Sequence, residues 1–150
     1  MEFYPDIVVR ERGWFQDRIV VGIDDENDDL KARAEEIKAY MERSNVPEGI
    51  LVSPTHFRVY RNRYGLPPDA VAEVADFPTK RVMEYLPSYA RGSELRALVQ
   101  RWLDWLHAGF LNGNVAFPPD VHEIVQWEIM PYLYDGETLA AGDRWQPIPY

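Results

Sequence analysis

The sequence predicts an α/β or α+β fold: a small mixed β-sheet with one flanking helix over about 28–44 and a C-terminal helical pair. Three observations lead there. The first sixty residues alternate short β-branched runs with one helix-periodic stretch. The second half carries a long amphipathic stripe from Leu95 to Phe110. No internal repeat, low-complexity tract or Ser/Gly linker divides the 150 residues, and 46% hydrophobic content supplies one core. The expectation is one domain over 1–150, with a sheet-and-helix core over 1–64 and a helical extension with a proline-rich tail over 65–150.

Each element has its own signal. Tyr4 to Arg10 and Arg18 to Ile23 are strand-like runs, joined by a glycine-containing connection of hairpin length. Asp24-Asp25-Glu26-Asn27-Asp28-Asp29 follows, where Asn27 or Asp28 caps a helix and the other acids suit its positive dipole end. Leu30, Ala34, Ile37 and Met41 then recur at helical spacing, until Ser44-Asn45 and Pro47 stop the helix. Gly49 to Val52 reads as a buried strand, Phe57 to Tyr60 as its neighbour, and Val71 to Phe77 as a further short strand between prolines. Leu95, Leu98, Val99, Trp102, Leu103, Leu106 and Phe110 mark the second helix, beginning after Gly92-Ser93. A third starts at Asp120 with Glu123 as capping-box partner, and Pro131 ends or kinks it. The tail, Trp145 to Tyr150, is extended and aromatic, a strap for the domain.

Charge and composition narrow the function. The formal net charge is −9, but residues 1–50 carry −6, residues 51–100 carry +2 and residues 101–150 carry −5. An acidic total argues against a non-specific polyanion binder, while the middle third leaves room for a local basic face. With no cysteine there is no disulfide, thiolate metal site or Cys nucleophile. The first residues do not make an export signal and no apolar run spans a bilayer, so the expectation is a cytoplasmic protein without a membrane partner. His56, His107 and His122 form no metal-binding spacing, and no serine or glycine pattern marks acyl transfer or nucleotide binding. The acids from Asp24 lack the sixth-position glycine of a Ca²⁺ loop and read as a solvated helix start.

Pro5-Asp6 entering one strand, Val20-Val21-Gly22-Ile23-Asp24 ending the next, a helix, and then a strand pair closing on Phe57-Arg58-Val59-Tyr60 together resemble the core of the PD-(D/E)XK nuclease superfamily over about residues 4–61. The resemblance implies a metal-binding carboxylate at Asp6, with an Asp or Glu on the next strand and a Lys two residues further on. Laid on that pattern, the acid position is Gly22 and the Lys position is Asp24. Were the chain an active Mg²⁺-dependent DNA hydrolase, Asp6, Asp24 and Glu26 would hold the metal, with Lys38 completing a catalytic set of Asp6, Asp24 and Lys38. The departures favour instead a nuclease-like domain without catalysis, needing no cofactor and serving as a binding or accessory module. Its contacts are nucleic acid through residues 58–64, with Arg58, Arg61 and Arg63 as candidates, or a protein partner or second copy through exposed aromatics. Trp105 and Trp127 fall off their helix stripes and suit such a surface.

Overall fold

A strand whose successive residues are all apolar needs cover on both faces. Ile7-Val8-Val9, Ile19-Val20-Val21 and Ile50-Leu51-Val52 are such runs, and all nine side chains are buried. The computed structural model describes residues 3–11, 16–24, 30–66, 69–84, 90–110, 112–113 and 115–140. It is a mixed α/β arrangement. Strand β1 (Ile7–Glu11) pairs antiparallel with β2 (Asp17–Ile23), and helix α1 (Leu30–Ser44) crosses over to β3 (Glu48–Val52), which lies parallel to β2. Antiparallel β4 (His56–Asn62) and β5 (Val71–Pro78) follow. A sixth strand, β6 (Gly136–Ala140), joins the outer edge of β1, giving the order β5-β4-β3-β2-β1-β6.

Alternation sorts these strands between two cores. Val8, Val20, Leu51 and Tyr60 pack with Ala34, Ile37 and Met41 of α1. Ile7, Val9, Ile19, Val21, Ile50, Val52, Phe57 and Val59 face the other way, against α3 (Gly92–Gly109) and the C-terminal helical run. The sheet is thus a middle layer between helices. Helix α1 lies close over β3 because Gly49 has no side chain: a Cβ there would fall 2.5 Å from Met41 Sδ. The helix closes on Asn45 in the left-handed region (φ 55°), and the Val46 N–H reaches back to the Met41 carbonyl at 2.9 Å.

The structure departs from the expectations after residue 110. Asp120 does not cap a helix. Helix α4 (Pro119–Ile124) begins a residue earlier on Pro119, whose fixed φ suits a first turn, and Asp120 pairs with Arg81 of the short helix α2 (Thr79–Val82). Nor does Pro131 end the run. A π-helical turn over Val125–Ile129 leads into α5 (Met130–Leu133), with the Met130 N–H bonded to the Val125 carbonyl. The wider turn relieves the contact between the proline ring and the preceding turn, which an α-helix interior would not tolerate. Strand β6 was not foreseen from the sequence. The tail 141–150, Glu26 and the cap candidates Asn27 and Asp28 lie outside the described residues.

Candidate functional site

The carboxyl ends of parallel strands are where open α/β sheets place ligands, and Asp6, Gly22 and Asp24 lie at that end of β2 and β3. Continuing the register from Ile7↔Val21 sets Asp6 opposite Gly22. By pleat parity with Val8 and Val20, all three residues share the α1 face. The Asp6 N–H bonds the Val21 carbonyl at 2.8 Å, and its Oδ2 accepts the Ile23 N–H, also at 2.8 Å. The Asp24 N–H bonds the Val52 carbonyl at 2.9 Å, while its buried Oδ2 has no hydrogen-bond partner among the described residues.

Two neighbours decide what this corner can do. The ring of buried Phe3 lies against Gly22, so closely that a Cβ there would be 3.0 Å from Phe3 Cε2 and 3.1 Å from Cζ. Arg33 of α1 stacks on the same ring, its guanidinium carbon 4.9 Å from the centroid, and reaches to 4.0 Å from Asp6 Oδ2. Lys38 is instead bonded along its own helix to Glu35 at 3.0 Å. A Mg²⁺ site of the nuclease kind needs a second carboxylate facing Asp6. Here that position is a glycine under a phenyl ring, the lysine position is an aspartate, and an arginine stands beside the remaining acid. At the pattern's own positions the residues do not supply the second carboxylate or the lysine; Asp24 shares the face of Asp6, Glu26 lies outside the described residues, and among the described residues no group of three or more His, Asp or Glu gathers as a metal site. Arg33 was missed in the sequence, although it sits one turn before Ile37, at the margin of the sheet-facing stripe.

The three candidate arginines are not one patch. Arg58 shares the face of Tyr60, with its Nε 3.2 Å from Asp76 and 3.7 Å from Glu73. Burial pushes the Tyr60 phenol up to about 12, against the opposing pull of Arg58, so it stays protonated. Arg61 faces the opposite layer, where its Nε donates to Glu128 Oε2 at 3.0 Å. Arg63 follows β4, exposed, its N–H tied to the Ala70 carbonyl at 2.7 Å. Two of the three cations are therefore matched by the chain's own acids, on opposite faces of the sheet.

Around Arg61 is a second polar centre that sequence reading did not find. Glu48 lies directly across from it in register and is only 2% exposed, its Oε2 without a partner among the described residues. Burial pushes its carboxyl up to about 8, against the lowering influence of Arg61. Glu128, on the π-helical turn, is 3% exposed. One arginine thus serves two buried carboxyl groups. Extending the β3 run by a single residue would have made Glu48 the first residue of a strand buried throughout and flagged it.

The remaining surface feature is aromatic. Trp105, Trp127 and Tyr134 are exposed. A cleft of about 480 Å³ opens between α2, α3 and the 116–118 segment, lined by Trp102, Trp105 and Phe117 among others. Among the described residues no helix is long and apolar enough to cross a membrane. Comparison with family models, with curated proteins and with solved structures gives no match to this chain.

Proposed function

We propose that this chain is a nuclease-like domain without nuclease chemistry, acting as a binding or accessory module whose partner is a protein. The order of hairpin, crossover helix and parallel strand around Pro5-Asp6 supports the nuclease-like part. One observation carries the loss of chemistry: Phe3 covers Gly22 where the second carboxylate would stand, and Arg33 sits beside Asp6 where a metal would be held. The engagement of Arg58 and Arg61 with internal acids argues against a phosphate-tracking surface, since counterion release depends on cations free to meet phosphates.

The test is a pair of measurements on the full chain. Melting is followed with and without Mg²⁺ or Mn²⁺, and plasmid and linear DNA are incubated with the protein under the same conditions. The expected result is no metal-dependent rise in Tm, no cleavage, and no salt-sensitive retention of DNA. Metal-dependent cleavage that disappears in Asp6→Ala would return the chain to the Mg²⁺ hydrolase reading.

A further inference from the structure

The cleft between α2 and α3 pairs an apolar floor with a cationic rim. Trp102, Leu98 and Phe117 form the floor, and Trp105, 43% exposed, stands at its edge. The rings are already set edge-to-face, Phe117 lying 6.2 Å from Trp102 and 6.1 Å from Trp105 between centroids. A pre-arranged aromatic wall loses little entropy when a ligand side chain enters. At about 480 Å³ the cleft admits a few large side chains.

The rim reverses the sign of the molecule around it. Lys80 and Arg101 are exposed and make no ion pair among the described residues, whereas Arg81 beside them is held by Asp120. Among the described residues Glu84 is the only acid in the lining. On a chain of net charge −9, an apolar cleft with two cations that no described acid pairs is a local complement to negative charge.

We propose that this cleft docks an acidic peptide segment of a protein partner, with a large apolar side chain on the Trp102–Trp105–Phe117 wall and carboxylates against Lys80 and Arg101. The proposal rests on the reading of the chain as a partner-binding module and names the chemistry of the partner. A nucleic acid suits the site less well: two rim cations are too few to follow a phosphate backbone, and a mostly apolar floor rewards a side chain more than a sugar.

The experiment is fluorescence anisotropy with the full chain and a labelled peptide bearing a Leu-Phe pair flanked by aspartate and glutamate. Saturable binding is expected, weakened severalfold by raised salt, and absent for the same peptide with lysine flanks. Lys80→Glu with Arg101→Glu should weaken it about tenfold, as should Trp105→Ala, and the charge variant should leave Tm nearly unchanged because both its side chains are exposed. No saturable binding, or equal binding by the lysine-flanked peptide or by these variants, would overturn the proposal. So would tighter binding of labelled oligothymidylate at the same residues, or self-association abolished by Trp105→Ala, which assign the cleft to nucleic acid or to a second copy. Metal-dependent DNA cleavage would overturn the non-catalytic reading and leave the peptide result standing, so the two failures are distinguishable.

Discussion

Replacing Glu48 by glutamine keeps the shape of the side chain and removes its ability to ionise. In the folded protein this carboxyl is buried, has one oxygen without a partner among the described residues, and is pushed by burial up to about 8 from an ordinary 4.5. Between those values the folded chain holds a proton that the unfolded chain has released. The unfolded state therefore binds fewer protons, and stability falls as pH rises through this window, levelling off above about pH 8. The gap between about 8 and 4.5, at about 1.4 kcal/mol per pH unit, is about 5 kcal/mol in all, of which about 2 to 3 kcal/mol is lost between about pH 5 and pH 7. Glutamine carries none of this slope. The expected result is a variant close to the parent near pH 4 and more stable by several kcal/mol near pH 8. Urea unfolding of both proteins across about pH 4 to 9 measures it, and taking the difference cancels the other carboxylates. A difference that stays constant over that range would show that Glu48 titrates like a solvated acid and that water reaches it beside Arg61.

Three further outcomes follow from the same geometry. Arg61→Met strands the Glu128 carboxylate and should cost about 2 to 3 kcal/mol in urea unfolding at neutral pH, less than a fully buried pair because Arg61 is half-exposed. Gly22→Glu restores the acid that the nuclease pattern places there but drives Phe3 aside, so it should destabilise by about 1 to 3 kcal/mol and produce no metal-induced rise in Tm. Asp6→Asn keeps an acceptor for the Ile23 N–H and should cost less than Asp6→Ala, which loses about 1 to 2 kcal/mol with that bond; equal losses in thermal unfolding would mean that the charge toward Arg33 matters and the bond does not.

Much of the fold was legible because its strands are buried on both faces. Runs such as Ile19-Val20-Val21 and Ile50-Leu51-Val52 announce strands without any need to know their partners. The spacing of Ala34, Ile37 and Met41 likewise places α1 on its own. What escaped was decided by tertiary context. Gly136-Glu137-Thr138-Leu139-Ala140 has little strand pattern and becomes β6 because β1 offers an unpaired edge. The helix passes Pro131 because a π-helical turn absorbs it, an adjustment that a local rule about proline does not contain. At the candidate site, position was readable and chemistry was not. Asp6 and Asp24 lie at the strand ends where they were expected, but the residues that define their surroundings, Phe3 and Arg33, come from a segment before the strand and from a helix. Arg61 shows the same limit at long range, since its acid lies 67 residues away.

The hydrogen bond from Ile23 to Asp6 gives the aspartate at this position a structural role that needs no chemistry. Ile23 is the last residue of β2, where the β1 backbone no longer pairs with it, so its N–H needs an acceptor. Pro5 cannot donate a backbone N–H, and Asp6 bonds the Val21 carbonyl with its own, so the pair ends one ladder and its side chain completes the next rung. A proline followed by a short acceptor is thus a local solution for closing this hairpin, whatever lies beyond it. Its presence supports the strand arrangement more strongly than it supports catalysis. The groups that separate a nuclease from a binding module are instead those opposite and above Asp6, and in this chain they are a glycine, a phenyl ring and a guanidinium.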